Sequence, residues 1–305
     1  MPSSAARTHE PFTISWRRRI LWLIIACLVP TAAQAHVGDW LIPVYEIPSA
    51  DLPTLEDGTL EDWEEIVPDA SVLTTDTSIE NGEFDNNDFV FRAFFAWHFK
   101  SQQLYFAFES VDDEATGIEP VELMVDGDHS GGTFAFAPDT AEPEAMRLTN
   151  LQSQWYSVGP DISVRSIRLT SSFRDKSWAG MEPWARAAGS TLSDLPAHRI
   201  IEAVITPWDE LSPEGPEASR RSRLKPGAII GLLLAVNDID SSPHGEGWLE
   251  FSTYSLGDSR TGTTVSDGFV DAELIPCKVL DCSGAQTTAV QSTSWARIKA
   301  SLSYR

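Results

Sequence analysis

The amino-acid sequence predicts an all-β protein, an antiparallel β-sandwich with long loops. Apolar residues alternate along residues 89–97 and again along residues 104–108, which is the period of a strand with one buried face. Residues 228–236 are apolar throughout, and the run is too short for an ordinary helix, so it predicts a central strand covered on both faces. Clusters of Gly, Pro, Asn and Asp separate many short segments of this kind, which favours a sandwich over alternating strands and helices.

A hairpin and a third strand form the first part of this sandwich. Residues 89–97 and 104–108 make the hairpin, because the polar residues 101–103 interrupt the alternation between them. The third strand covers residues 121–126. Its alternation places Glu122, Met124 and Asp126 on the face opposite to the core.

Further strands are predicted at residues 147–150, 155–158, 162–170, 200–206, 248–251 and 269–275. Residues 171–197 are predicted as a long loop with one helical turn. Residues 212–226, rich in Pro, Glu and Arg, are predicted as a solvated excursion from the sandwich.

The first 35 residues have the pattern of a signal peptide. Arg17, Arg18 and Arg19 precede an apolar run at residues 20–29, and residues 33–35 form a small-x-small cleavage pattern. A membrane span needs about 20 apolar residues, so a permanent anchor is the less favoured alternative, and ordinary secretion is favoured over a twin-arginine signal. The predicted organisation is a signal peptide over residues 1–35, one β-sandwich domain over 36–276 and a weakly ordered C-terminal tail over 277–305, in a secreted or periplasmic protein.

The chain is acidic, with a formal net charge of −23. Removal of residues 1–35 would take away four Arg and one Glu and leave 18 basic and 44 acidic residues, a formal charge of −26. Such a field repels nucleic acid and anionic lipid headgroups and attracts divalent cations. Nucleic acid is therefore excluded as a predicted partner, and no membrane span is expected after signal cleavage.

Two of the three cysteines, Cys277 and Cys282, remain after signal cleavage. In an oxidising compartment this pair predicts a small disulfide loop. A metal site is the alternative, but the residues between and beside the two cysteines supply no further soft ligand.

Five segments, in order, resemble the family 9 carbohydrate-binding modules. They are residues 57–63 (DGTLEDW), 96–108 with its AWHF and LYFAF sequences, 121–126 (VELMVD), 201–211 with ITPW, and 231–248 with VNDID and GW. The match spans roughly residues 51–276. The resemblance implies an antiparallel β-sandwich of the immunoglobulin-like jelly-roll type.

The resemblance also implies a non-catalytic protein that binds a poly- or oligosaccharide. In sugar-binding members a terminal sugar lies between two loop tryptophans, while carboxylate and amide side chains hold its hydroxyls, and Glu122 corresponds to such a carboxylate. A pyranose has an apolar C–H face that stacks on indole, so Trp155, Trp178 and Trp184, which lie near predicted loops, are candidate contacts. The alternative for Trp178 and Trp184 is that they pin a long loop to the sandwich.

Four other tryptophans, Trp63, Trp97, Trp208 and Trp248, lie within the fold-defining motifs and are predicted to pack in the core. A calcium hypothesis concerns Asp126, Asp128 and Ser130, whose alternate oxygen ligands lie in a Gly-rich turn. The alternative is an ordinary acidic turn. Asn237, Asp238 and Asp240 form a second cluster, for which turn chemistry is the favoured interpretation.

The sequence contains no Gly-x-Ser-x-Gly, His-Glu-x-x-His, phosphate-loop or dinucleotide-binding motif, which favours a protein that is not an enzyme. One alternative function is a periplasmic domain holding a b-type haem, with Met124 and either His98 or Lys100 as axial ligands. For Met124 a packing role competes with this hypothesis. An envelope interaction module without a small-molecule ligand is the third option.

Overall fold

The computed structural model describes residues 37–55, 59–67, 69–82, 84–85, 87–114, 119–132, 141–161, 166–171, 174–194, 196–241, 249–258 and 265–276. These residues form fifteen β-strands: β1 (Val37–Glu46), β2 (Val72–Leu73), β3 (Ser78–Glu80), β4 (Phe89–His98), β5 (Gln103–Asp112), β6 (Val121–Asp126), β7 (Gln154–Asp161), β8 (Ser166–Ser171), β9 (Ala185–Asp194), β10 (Ala197–Ile205), β11 (Trp208–Glu210), β12 (Arg220–Arg221), β13 (Ile229–Ser241), β14 (Leu249–Leu256) and β15 (Val270–Ile275). The helical elements are α1 (Glu61–Ile66), α2 (Glu142–Leu148) and the 3-10 turns Thr74–Asp76, Arg174–Gly180, Pro216–Ala218 and Ser266–Gly268.

Thirteen of these strands belong to one sheet, and β11 and β12 form a small sheet of their own. The main path of the large sheet runs β8-β7-β6-β13-β15-β1-β4-β5-β10-β9, with β14 beside β13, β3 beside β14 and β2 beside β4. The two ends of this path, β8 and β9, contact each other. The sheet therefore folds over its own apolar face, and the predicted β-sandwich is confirmed.

Strand β1 makes the sheet mixed rather than purely antiparallel. It pairs in parallel with β15, where Ile42 lies opposite Ala272, and with β4, where Tyr45 lies opposite Ala96. The sequence prediction began its strands at Phe89 and missed β1. Its alternation is weak because both faces of the strand become covered around Val44 and Tyr45.

The interior of the sandwich is built from the alternating rows that the sequence predicts. Phe89, Phe91, Ala93, Phe95 and Trp97 of β4 all lie in one buried cluster. The same cluster takes the inward residues of the other strands, among them Leu104, Phe106, Phe108, Val121, Leu123, Val125, Ile230, Leu232, Leu234, Val236 and Tyr254. Because successive side chains point to opposite faces, this arrangement leaves Glu122 and Met124 on the outer face of β6.

Helix α1 covers the outer face of β4, β5 and β10. Trp63 of this helix is fully buried with Phe94 and Tyr105 in a second cluster, and its Nε1 donates to Oε1 of Glu202 at 2.7 Å. Trp97 and Trp208 are also fully buried. The core prediction is thus confirmed for these three tryptophans, while Trp248 lies outside the described residues.

Three local predictions were wrong. The strand predicted at residues 147–150 is replaced by the end of α2 and a turn, and the loop predicted over residues 171–197 contains β9. Strand β9 pairs with β10 along its length, so backbone hydrogen bonds form a strand that the Ala- and Ser-rich sequence does not signal. Asn237, Asp238 and Asp240 are not in a turn but within β13, which pairs with β14 through Ser241.

Several predictions concern segments outside the described residues. These are the signal peptide over residues 1–35, the disulfide between Cys277 and Cys282, and the tail over residues 277–305. Among the described residues, none of the helices has the length and apolar character needed to cross a membrane.

Candidate functional site

The outer face of β6 carries the first candidate site, at Glu122. In the sheet Glu122 lies between Ala235 of β13 and Ser157 of β7. It faces away from the interior because Val121 and Leu123, on either side of it, point into the core. The predicted outward direction of Glu122 is confirmed by this register.

Glu122 is a carboxylate without a partner on the protein. The side chain is partly buried and makes no hydrogen bond or ion pair with any residue that the structure describes. Burial raises the pKa of Glu122 to about 7, and no neighbouring charge contributes to the shift. A group in this state gains from a ligand that donates hydrogen bonds to its oxygens.

Trp155 lies on the same face as Glu122. It is directly opposite Met124 in the β6–β7 ladder, which makes it the diagonal neighbour of Glu122. The backbone positions of such diagonal neighbours lie about 7–8 Å apart. One side of the ring packs on the small cluster of Met124, Leu233 and Phe269. Its Nε1 is buried and has no hydrogen-bond partner among the described residues. A partly buried indole ring, whose N–H group is buried, therefore lies diagonal to Glu122 in the ladder.

Asn237 is the polar residue on this face that sequence reasoning misassigned. It lies two residues after Ala235 on β13, so it shares the face of Glu122. Its Oδ1 accepts from the hydroxyl of Thr253 at 2.9 Å, and its Nδ2 lies 3.5 Å from the carbonyl oxygen of Pro120. The signal that could have placed it is the period of two along β13, which continues past the apolar run.

Trp178 and Trp184 are not on this face. They pack edge-to-face against each other at 5.9 Å and against the buried Trp208 at 5.0 and 5.2 Å between ring centroids. Nε1 of Trp178 donates to the carbonyl oxygen of Ser212 at 3.3 Å, and the Arg221 guanidinium lies 5.5 Å from the centre of the Trp184 ring. These contacts favour the role in which both tryptophans pin their segment to the interior of the sandwich.

The turn after β6 uses its first carboxylate internally. Asp126 is fully buried, and its two oxygens accept from the backbone N–H groups of Ser130 at 3.3 Å and Gly131 at 2.7 Å. Burial raises the pKa of Asp128, which lies 4.0 Å from an Arg220 guanidinium nitrogen. This pattern is that of an acidic turn, so the alternative to calcium is favoured at Asp126, Asp128 and Ser130.

A different set of carboxylates forms the second candidate site, at one end of the sandwich interior. Asp88 precedes β4, Asp112 ends β5, Asp113 follows it, and Asp240 lies near the end of β13. One ligand oxygen from each of the four lies within 4.8 Å of the others. Sequence reasoning missed this cluster because Asp88, the adjacent Asp112 and Asp113, and Asp240 come from three separate parts of the chain. They meet where the two halves of the sheet face each other, as the 5.2 Å contact between the rings of Phe89 and Tyr254 shows.

Asp238 and Tyr254 complete this acidic cluster. Asp238 is 1% exposed, and neither of its carboxylate oxygens has a hydrogen-bond partner among the described residues. The Tyr254 hydroxyl and Oδ2 of Asp112 are likewise buried without a partner within the described part of the chain. Buried polar atoms in such numbers are rare unless a water or an ion satisfies them.

The pKa values of the acidic cluster show that burial and mutual repulsion disfavour the charged form of its carboxyl groups. Burial, followed by repulsion from Asp240 and Asp112, raises the pKa of Asp238 to about 9. Burial is also the largest cause at Asp112, whose pKa rises to about 8, and at Asp88 and Asp240, whose pKa values rise to about 7 and about 6. A bound cation would reverse these shifts, because it favours the charged carboxylates.

The residues of the haem hypothesis are not brought together. Met124 is fully buried against Leu233 and Phe269. His98 lies on β4, where its ring nitrogens contact the hydroxyls of Ser49 and Ser101 at 2.9 Å, and Lys100 is exposed in the following turn. Three strands, β13, β15 and β1, separate β6 from β4 in the sheet. The packing role of Met124 is therefore favoured.

No family model matches this sequence, and no curated protein is similar to it. Among solved structures, a family 9 carbohydrate-binding module from Caldicellulosiruptor kristjanssonii in complex with glucose is similar, with a TM-score of 0.51 and 15% identity, over 80% of this chain and 100% of that chain. The fold is that of a family 9 carbohydrate-binding module. A family 9 module from the same organism in complex with cellotriose has a TM-score of 0.49 and 16% identity, over 79% of this chain and 96% of that chain.

The family 9 fold explains how the two candidate sites are positioned. In the sandwich the end of β5 and the end of β13 come close together, which assembles the acidic cluster. Helix α1 lies over β4, β5 and β10, on the other half of the sheet from β6. At 15% identity the likeness concerns the fold, so the ligands of both sites are argued from their own residues.

Proposed function

We propose that the chain is an exported, non-catalytic protein that binds a poly- or oligosaccharide on the outer face of β6. The observation that carries this proposal is the partly buried Glu122 carboxylate, which has no partner among the described residues. Trp155 and Asn237 lie on the same face and add an indole ring and an amide. The family 9 module of similar fold is in complex with glucose, which supports a saccharide as the class of ligand.

The chemistry of this face suits a sugar. Hydroxyl groups donate hydrogen bonds to a carboxylate, and charged acceptors form the stronger bonds. The apolar face of a pyranose can pack on the Trp155 ring, whose position is set by Met124 and Phe269 beneath it. The side chain of Asn237 is held by Thr253, so its orientation costs little entropy on binding.

The proposed role is binding rather than catalysis. The sequence has none of the four catalytic or cofactor motifs named above, and in polysaccharide breakdown the protein would serve as a binding module. Secretion or a periplasmic location rests on the N-terminal pattern at residues 1–35. The acidic charge of the chain argues against nucleic acid as a partner.

Isothermal titration with glucose, cello-oligosaccharides and xylo-oligosaccharides tests the proposal, together with a broad glycan array. We expect Glu122→Gln to weaken affinity about tenfold, since a hydrogen bond to a charged group contributes about 1.5–3 kcal/mol and the amide retains part of it. Glu65→Gln is the matched control, because Glu65 is exposed on α1. The absence of binding across the panel at millimolar sugar would rule the proposal out.

We also infer that the acidic cluster holds a divalent cation, with calcium as the fitting ion. Calcium takes six to eight oxygen ligands at about 2.4 Å, so two ligands on opposite sides of the ion lie about 4.8 Å apart. The four carboxylate oxygens of Asp88, Asp112, Asp113 and Asp240 satisfy this limit. The unpartnered oxygens of Asp238 are a further reason for a cation here. These residues replace Asp126, Asp128 and Ser130 as the proposed calcium ligands.

A further inference from the structure

A cavity of about 330 Å³ lies between the start of β1, residues 75–78 and the end of β14. Trp40 lines it and is 47% exposed. The other lining residues include Thr75, Asp76 and Asp258, whose side chains carry hydroxyl and carboxylate groups, and the buried Leu256 and Val270. One aromatic ring therefore meets several hydrogen-bonding groups in a space of ligand size.

The cavity is separate from the Glu122 face. One row of side chains crosses the outer face of four neighbouring strands, β6, β13, β14 and β3. Its members are Glu122, Ala235, Ser255 and Ser78, each opposite the next. Ser255 and Ser78 line the cavity, and at about 4.8 Å per strand they lie about 10 and 14 Å from β6. Ala235 and Ser255 are buried, at 2% and 1% exposure. A covered stretch of sheet thus separates the two surfaces.

We propose that this cavity is a second saccharide-binding site, which takes a neutral mono- or disaccharide stacked on Trp40. The indole ring offers an apolar surface to the C–H face of a pyranose, and the polar groups across the cavity meet its hydroxyls. This site does not depend on the Glu122 face, because the two share no residue. It can bind a sugar whether or not Glu122 does.

Asp76, which lines the cavity, has one carboxylate oxygen available for such a contact. Its Oδ2 accepts from the backbone N–H of Leu73 at 2.7 Å, which fixes the carboxylate, and its other oxygen makes no bond with any described residue. Burial raises the pKa of Asp76, as expected of a carboxylate that is short of partners. A sugar hydroxyl would supply the missing donor.

The net charge of the chain disfavours anionic sugars at this cavity. The described residues that line it include two aspartates and no Lys, Arg or His. In a chain of formal charge −23, a uronic acid or another anionic sugar would be repelled. The volume lies at the lower end of ligand pockets, roughly 300–1,000 Å³, which favours a mono- or disaccharide over a longer chain.

Nuclear magnetic resonance of the indole N–H groups tests this site directly. The indole signal that is missing from the spectrum of Trp40→Ala identifies Trp40 in the wild-type protein. We expect this signal to shift on titration with glucose, cellobiose or xylobiose, and to shift equally in Glu122→Gln. Isothermal titration should show that Trp40→Ala weakens binding at this site about tenfold, while Trp40→Phe retains part of it.

Leu41→Ala is the matched control, because Leu41 is the exposed neighbour of Trp40 and does not line the cavity. A Trp40 signal that stays unshifted at millimolar concentrations of these sugars would overturn the second site, whatever Glu122→Gln does. If the Trp40 signal shifts but Glu122→Gln leaves every affinity unchanged, the second site stands and the proposed Glu122 site fails. Equal shifts with glucuronate would contradict the selection for neutral sugars.

Discussion

The outer face of β6 and the acidic end of the sandwich both contain buried carboxyl groups with raised pKa values, yet they suit different ligands. Glu122 stands alone, beside an indole ring and an amide, and its pKa rises through burial only. In the acidic cluster, burial raises the pKa values of Asp238 and Asp112, and repulsion from neighbouring carboxylates raises them further. A single desolvated carboxylate needs hydrogen-bond donors, whereas a group of them needs positive charge. The neighbours of a carboxyl group, rather than its pKa, indicate the ligand.

The largest expected effect is the response of stability to calcium. Calcium at about 100 times its Kd should stabilise the native state by about 2.7 kcal/mol. This corresponds to a rise in Tm of roughly 5–10 °C at about 2–4 °C per kcal/mol. Calorimetry in EDTA and in calcium should show this rise, and Asp112→Asn should lose most of it. Asp128→Asn is the control, and a loss of the response in that variant instead would return the calcium site to the turn after β6.

The next effect is the dependence of stability on pH without calcium. The pKa values of Asp238, Asp112 and Asp88 are raised to about 9, 8 and 7, so between about pH 5 and pH 9 the native state binds more protons than the unfolded state. The free energy of unfolding should therefore fall as pH rises through this window. Urea unfolding in EDTA at three pH values measures the slope, and Asp238→Asn should flatten it. A flat profile in the wild-type protein would show that the cluster is already neutralised.

Two tryptophan variants separate the sugar face from the packed interior. Trp155→Ala should weaken saccharide affinity about tenfold, because it removes the aromatic surface beside Glu122. Trp178→Ala should leave affinity unchanged and reduce stability by about 3 kcal/mol, the lower end for a Trp→Ala change, since its partly buried ring packs on Trp184 and Trp208. Isothermal titration with saccharide and thermal unfolding of both variants show which tryptophan contributes to binding and which to stability. The reverse result would restore Trp178 as a sugar contact.

The smallest expected effect is the pH dependence of saccharide affinity. Glu122 has a pKa of about 7, so its carboxylate form falls from about nine-tenths at pH 8 to about one-tenth at pH 6. If the neutral acid binds about tenfold more weakly, affinity should fall about fivefold over this range. Glu122→Gln should bind with the same affinity at both pH values. An affinity that rises on acidification would contradict the role of the carboxylate.

The hairpin and β6 could be predicted from the sequence because their signals are local. Alternating apolar residues place Phe91 and Phe95 inside and Glu122 outside without knowledge of any partner strand. Strands β1 and β9 were missed for the opposite reason. Strand β1 has no clear period of two, since both of its faces are covered around Val44 and Tyr45 while Trp40 and Leu41 are exposed. Strand β9 takes its structure from the backbone of β10.

The candidate sites divide in the same way. Glu122 was found in sequence because its direction follows from the strand that carries it. The residues that share its face could not be predicted in this way. Trp155 lies on that face only because of the register between β6 and β7, whereas Trp178 and Trp184 pack against Trp208. The Trp40 cavity joins β1 to β14 and was likewise invisible in the sequence.

The sequence alone determined that this protein is an acidic β-sandwich with an outward carboxylate at Glu122, because composition and the period of two are local properties. The tertiary structure alone decided which carboxylates gather. Asp88, Asp112 and Asp240 are distant in sequence and lie on three different strands or strand ends, and they meet only when the sheet folds over its core. Repulsion among them depends on distance in space, and no pattern along the chain records that distance.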